Sequence, residues 1–186
     1  MRAVATLIMV TVAVLAQTTV VHRLPFEWGP GPDLVIAAVV AVALTTSPAA
    51  AAGCGFAAGL AMDVLPPAEH PMGRYALVLC LAAYVLALLR ANTGLGGSAG
   101  AGVSSWAALG IVPIVSAAVG LGYAFLGLVM GDAHITPVSV AVNAGAGALL
   151  TMAAAPLVTL PVLWVRAKLT ESDFATIQGP TYSGGW

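Results

Sequence analysis

Long apolar segments run through most of this chain and are separated by clusters of proline, glycine and charged residues. They cover residues 3–21, 34–65, 72–89, 103–130 and 137–165. These lengths approach or exceed the roughly 20 residues that a helix needs to cross the hydrocarbon core of a bilayer. Mean hydropathy is +1.01 and only 7% of residues are charged, far below a soluble domain. The sequence therefore predicts an all-α integral membrane protein.

The charge balance argues against a nucleic acid partner. The chain has six basic and seven acidic residues, for a net charge of -1. Binding to a phosphate backbone depends on many basic contacts that release counterions, and this chain has no extended basic surface to supply them. We expect membrane lipid, and no nucleic acid, among its partners.

The first apolar segment could be mistaken for a secretory signal, because Val14, Leu15 and Ala16 resemble a small-residue cleavage site. The apolar run continues beyond Ala16 to nearly the length of a membrane span. We therefore expect this segment to be retained as the first helix.

The second apolar segment, 34–65, is too long for one ordinary span and short for two, and a turn-like Thr-Thr-Ser-Pro sequence interrupts it at residues 45–48. Two short helices and one long kinked helix are both compatible with it. Basic residues accumulate on the cytoplasmic side of short loops. Six spans with the N-terminus inside place four basic residues in the cytoplasm and two outside, whereas five spans reverse that ratio. The four are Arg2, Arg90, Arg166 and Lys168.

The distribution of basic residues thus predicts six transmembrane helices with both termini in the cytoplasm. Residues 1–166 form one six-helix transmembrane domain in this prediction, and residues 167–186 form a short polar cytoplasmic tail. The tail is too short to build a core of its own, so we expect it to fray.

Six spans also place five acidic residues and all three histidines at the outer face. We call the acidic set the acidic outer rim: Glu27, Asp33, Asp63, Glu69 and Asp132. The histidines are His22, His70 and His134. Histidine and carboxylate groups suit zinc, but none of these residues has the spacing of ligands on one helix. We predict no metal site and no cofactor.

A single carboxylate ends a helix face made of small residues. Gly55, Gly59 and Asp63 are four residues apart, which places them on one face of a helix in successive turns. Small residues at this spacing let another helix approach closely. An acid in apolar surroundings is costly unless it has a role. Gly73 and Arg74 open the next helix, and Arg74 could pair with Asp63 across the turn; a structural ion pair, a partner interface and a ligand site all remain open.

Other polar positions receive structural interpretations. Asn143 lies within the last span and needs an interhelical partner. Cys54 and Cys80 are expected to be thiols that pack as small hydrophobic groups. Ser98 and His134 fall on opposite faces of the membrane, so they cannot form the nucleophile and base of an intramembrane protease. We predict that the protein is not an enzyme.

The arrangement resembles the family of the bacterial rod shape-determining protein MreD. The resemblance rests on Gly55, Gly59 and Asp63, on the proline-rich turn that follows, and on Gly73 with Ala76 and Leu77 at the start of the next span, with Tyr84 further along. These motifs cover about thirty residues. The glycine-rich stretch near residues 93–102 departs from the family pattern.

The resemblance implies a non-enzymatic protein of the bacterial cytoplasmic membrane that supports cell shape and lateral peptidoglycan synthesis. Its implied partners are the bitopic protein MreC, the glycosyltransferase RodA and a penicillin-binding transpeptidase. On this basis the face of Gly55 and Gly59 is expected to pack on a partner helix, while Asp63 and Arg74 fix the outer hairpin.

The MreD family is similar in fold to the substrate-binding subunits of energy-coupling-factor vitamin transporters, which supplies an alternative function. Such a subunit would hold a small molecule with its acidic outer rim and a central cavity, and it would dock on a coupling subunit through an Ala-x-x-x-Ala face such as Ala37 and Ala41. Few polar side chains within the spans could specify a ligand, so we expect a scaffold.

Overall fold

A computed structural model describes residues 2–21, 31–65, 72–93, 104–131 and 136–177, and all of its regular structure is helical. Six helices follow one another in this part of the chain. They are α1 (Arg2–Thr19), α2 (Leu34–Ala43), α3 (Pro48–Val64), α4 (Arg74–Thr93), α5 (Ser105–Val129) and α6 (Pro137–Ile177). The described residues do not include most of the acidic outer rim, any of the three histidines, Ser98 or the prolines of the turn between α3 and α4.

Three of the described helices are long and apolar enough to cross a membrane. They are α4, α5 and the part of α6 from Pro137 to Leu169. The helices α1, α2 and α3 are apolar but shorter. The described chain is therefore helical, and the length and apolarity of these three helices indicate a membrane protein.

The second apolar segment folds as two helices, α2 and α3, which confirms one of the two arrangements that the sequence allowed. The hydroxyls of Thr45 and Thr46 donate to the carbonyls of Ala41 and Val42 at the end of α2, at 2.8 and 2.7 Å. Pro48 then occupies the first turn of α3, where its missing N–H costs no helical hydrogen bond. The turn-like sequence thus ends one helix and starts the next.

Helix α2 lies at the centre of the bundle and packs against all five other helices. Every residue from Val35 to Ala43 is buried. A helix that is apolar on all sides can be stable in this position because it presents no polar face to its neighbours. Its ten residues span only about 15 Å, half of the roughly 30 Å hydrocarbon core.

The start of α2 is level with the middle of α6. The backbone N–H of Asp33 donates to the hydroxyl of Thr151 at 2.9 Å, and Thr151 is near the midpoint of the apolar part of α6. Further along, Thr159 donates to the carbonyl of Ala37 at 3.4 Å. The two helices therefore run parallel, with the polar cap of α2 deep within the bundle.

Helix α6 continues well beyond the last predicted span. It runs without interruption to Ile177 and includes Pro156 and Pro161. Residues 167–177, which the sequence places in the polar tail, are therefore helical. Elongation of a helix from an existing end is favourable.

Candidate functional site

Asp63 is the centre of a buried polar site at the hairpin between α3 and α4. Its side chain is only 2% exposed. One carboxylate oxygen, Oδ2, accepts the backbone N–H groups of Gly73 at 2.9 Å and Ala76 at 3.0 Å. The other, Oδ1, accepts the N–H of Tyr75 at 3.3 Å. Asp63, at the end of one helix, thus caps the beginning of the next, where the helix dipole favours a negative charge.

Gly73 gives the chain the backbone conformation that this cap requires. Its φ angle is +92°, in the left-handed region that side chains with a Cβ rarely adopt. This turn directs the N–H of Gly73 to Asp63. Gly73 is therefore a structural residue of the site.

Gly55 and Gly59 allow the backbones of α3 and α4 to come into direct contact. A Cβ on Gly59 would lie 2.5 Å from the Cα of Ala76, and a Cβ on Gly55 would lie 2.6 Å from the carbonyl oxygen of Leu79. Both distances are well inside van der Waals contact, so only glycine fits. The predicted close contact between helices is present, but the helix that packs against this glycine face is α4 of the same chain. The expectation that this face packs on a partner helix is wrong, because α4 already occupies it.

Arg74 is buried next to the cap and reaches α5. Its Nε and Nη2 donate to the carbonyl of Tyr123 at 3.2 and 2.7 Å, and its guanidinium lies 3.8 Å from the centre of the Tyr123 ring. Contact with a ring face is favourable for a cation. Arg74 therefore holds the start of α4 against the end of α5, and its direct pairing with Asp63 stays a prediction.

Tyr75 joins the Asp63 cap to a second carboxylate. Its hydroxyl donates to Oδ2 of Asp33, while the other oxygen of Asp33 accepts the N–H of Ile36 at 2.9 Å and caps α2. The ring of Tyr75 also meets that of Tyr123 edge-on, with centroids 6.3 Å apart. A single tyrosine thus connects the first turns of α2 and α4.

Gln17 on α1 completes the polar site around the start of α2. It is buried at 5% exposure. Its Nε2 donates to the carbonyl of Pro32 at 3.1 Å, and its Oε1 accepts the N–H of Leu34 at 2.8 Å. Its carboxamide therefore binds the backbone on both sides of Asp33.

Sequence reasoning did not identify Gln17, Tyr75, Tyr123 or Thr151 as site residues. Two signals were available: a glutamine inside an apolar helix needs a partner, and an aspartate just before an apolar run is typical of an N-cap. The pairing of Tyr75 with Asp33 carries no local signal, because the two are 42 residues apart.

The opposite end of α2 is held by two arginines. Nη2 of Arg90 donates to the carbonyl of Thr46 at 3.0 Å, and Nη2 of Arg166 donates to the carbonyl of Thr45 at 3.3 Å. Arg166 also donates to the hydroxyl of Thr6 on α1. Cations at a helix C-terminus complement its dipole. The central helix thus has a carboxylate at its first turn and guanidinium groups beyond its last.

The other residues singled out in the sequence lie in different environments, from exposed to completely buried. Cys54 and Cys80 are free, half-buried thiols. Asn143 is exposed on α6, so the expected partner helix is not supplied by the described part of the chain. Ala37 and Ala41 are completely buried on α2, so they cannot be the docking face that the alternative transporter function requires.

The described residues contain no group of three or more His, Cys, Asp or Glu side chains that could hold a metal ion. The polar side chains of the site bind backbone groups of other helices. This arrangement fixes the positions of the helices relative to one another. No family model, curated protein or solved structure matches this chain.

Proposed function

We propose that this chain is a non-enzymatic membrane scaffold of the bacterial cell-elongation machinery, similar to MreD. In this proposal it crosses the cytoplasmic membrane six times, with both termini inside. It packs beside an MreC-like bitopic protein and near a RodA-like glycosyltransferase and a penicillin-binding transpeptidase. It supports cell shape by holding these proteins together during lateral peptidoglycan synthesis.

The central position of α2 is the observation that carries this proposal. A substrate-binding subunit needs a concave cavity with convergent polar groups. Here the bundle centre is filled by a helix whose residues from Val35 to Ala43 are all buried. A filled, apolar centre suits a protein that functions by binding other proteins at its outer surface.

The geometry of the resemblance motif is consistent with the same role. Gly55, Gly59, Asp63 and Gly73 are used to build the α3–α4 hairpin. They give the scaffold a fixed shape, and a partner must then bind elsewhere on its surface.

Asn143 is our candidate for such a partner contact. It is exposed on a helix that is otherwise apolar enough to span the membrane. A carboxamide facing lipid is unfavourable unless it is hydrogen-bonded, and a polar side chain on an adjacent helix is the usual partner.

Photocrosslinking in native membranes tests the proposal. A photoreactive residue at Asn143 should crosslink to a bitopic protein or a cell-wall synthase, identified after affinity purification. The matched control is Leu149, which is 69% exposed on another face of the same helix and should give little of that product. Recovery of a membrane coupling subunit with ATPases would instead indicate a vitamin transporter subunit. Equal crosslinking at both positions would count against a specific partner at Asn143.

A further inference from the structure

The two flanks of the helix bundle present apolar belts of different width to the membrane. Helices α1 and α3 pack against each other, and in the described part of the chain α3 does not contact α5 or α6. Helices α5 and α6 pack together on the other flank, and the ring closes where α4 contacts α5 and α1 contacts α6. We call the two pairs the α1–α3 flank and the α5–α6 flank; the central helix α2 lies between them.

The exposed apolar surface of the α1–α3 flank is only about 25 Å wide. On α1 the exposed large apolar residues run from Val4 to Val20, which at 1.5 Å per residue is about 24 Å. Helix α3 has 17 residues, or about 25 Å, and its exposed apolar side chains include Phe56, Leu60 and Val64. Tilt from the membrane normal can only reduce these widths. The flank is therefore narrower than a typical hydrocarbon core of about 30 Å.

The α5–α6 flank is much wider. Exposed apolar side chains run from Trp106 to Met130 on α5 and from Val138 to Trp164 on α6. These stretches are about 36 and 39 Å long. Transmembrane helices tilt by about 0–40°, and even the largest of these tilts leaves about 28–30 Å along the membrane normal. The two flanks therefore match bilayers of different thickness.

Contacts around α2 locate the end of the bundle where the flanks differ. Arg166 on α6 donates to the hydroxyl of Thr6 on α1 and to the carbonyl of Thr45 after α2, so the three helices reach a common level there. At the other end, Gln17 on α1 and Thr151 on α6 both bind the backbone at the start of α2. Beyond that level α1 ends within one turn, whereas α6 extends for about four turns. The α5–α6 flank is therefore longer at the end where α2 begins.

We infer that the α1–α3 flank binds a locally thinned lipid bilayer, about 5 Å thinner than a typical hydrocarbon core. Lipid suits this surface because the exposed side chains of α3 between Ala49 and Val64 are all apolar. A bilayer that meets a short apolar belt thins until the belt is matched, at a modest cost per Å. The thinning falls in the leaflet at the end where α2 begins. The inference requires α1 and α3 to face lipid, and it does not depend on the scaffold proposal.

Fluorescence quenching by brominated lipids tests the thinned flank. The four native tryptophans of the full chain are replaced by Phe, and a single probe is introduced by Phe56→Trp on α3 or by Met152→Trp on α6. Phe56 and Met152 are 47% and 50% exposed, and each lies near the middle of its belt, so the probes are matched. Each chain is reconstituted in mixtures of short-chain dimyristoleoyl and long-chain dierucoyl phosphatidylcholine, with one lipid or the other brominated.

We expect the short-chain lipid to be enriched about threefold at Phe56→Trp relative to Met152→Trp, since a short belt favours short acyl chains by a modest amount per Å. The same chain-length preference at both positions, or a preference for the long chain at Phe56→Trp, would overturn the inference. Quenching at Phe56→Trp that falls as the protein-to-lipid ratio rises would show that a second copy of the chain covers the flank, and this would overturn it too.

A second pair of probes keeps the test decisive if circular dichroism shows that one of the first variants misfolds. Leu60→Trp reports on α3 and Phe125→Trp on α5, at side chains that are 38% and 64% exposed. Enrichment of the short-chain lipid at Leu60→Trp alone would support the thinned flank. Equal enrichment at both positions would contradict it.

Discussion

The hydroxyl of Tyr75 donates a hydrogen bond to the carboxylate of Asp33, and this contact ties the start of α4 to the cap of the central helix. The same tyrosine donates its backbone N–H to Asp63. Two helix caps are therefore joined through one residue. The relationship explains how α2, too short to cross a bilayer alone, is fixed deep within the bundle.

Tyr75→Phe should destabilise the protein by about 1 kcal/mol, because it removes the hydroxyl that donates to Asp33 and leaves the ring in place. Chemical unfolding in detergent micelles, followed by circular dichroism, measures the change. Tyr84→Phe is the control on the same helix, since Tyr84 is 42% exposed and should be near neutral. Equal effects of the two substitutions would show that the contact with Asp33 does not contribute to stability.

Asp63→Ala should be more damaging, by about 2–3 kcal/mol, because three backbone N–H groups at the start of α4 lose their acceptor. Asp63→Asn keeps one oxygen and should have a smaller effect. The same unfolding measurement applies.

Ser47→Ala is the matched control for the Asp63 cap. Ser47 precedes α3 in the cap position but makes no side-chain cap hydrogen bond, so its loss should leave stability nearly unchanged. If Asp63→Ala unfolds at the same denaturant concentration as Ser47→Ala, the carboxylate is not an important cap.

Local patterns predicted much of this fold. The apolar segments located the helices, and the Thr-Thr-Ser-Pro sequence located the break between α2 and α3. The spacing of Gly55, Gly59 and Asp63 identified a close helix contact. In each case the signal lies within one or two helical turns, where backbone sterics and side-chain periodicity act directly.

Helical spacing defines a face but not the helix that covers it. The glycine face was therefore assigned to a partner protein when α4 of the same chain covers it. The depth of α2 was missed for a related reason: an apolar segment of ambiguous length looks the same whether it touches lipid or other helices. The contact between Tyr75 and Asp33 depends on this depth, so it could not be predicted either.

Gly59→Ala should destabilise the α3–α4 hairpin by about 1–3 kcal/mol, since its new Cβ would overlap the backbone of Ala76 and force the helices apart. Gly53→Ala is the control on the same helix, because nothing lies within 4 Å of a Cβ there. It should be neutral or stabilising by up to about 1 kcal/mol through helix propensity. Thermal unfolding of both variants in one detergent distinguishes steric overlap from a general intolerance of change in α3; equal losses would favour the latter.

The six-span arrangement predicts which loops share a side of the membrane. In a background with both native cysteines replaced by Ala, Ser47→Cys and Ser104→Cys should react with a membrane-impermeant maleimide from one side. Met72→Cys and Thr136→Cys should react from the other. All four positions are exposed, so each tests topology without disturbing the core. Labelling of Ser47→Cys from the same side as Met72→Cys would mean that the chain does not cross between them, and α3 would then be an element that enters and leaves the membrane on one side.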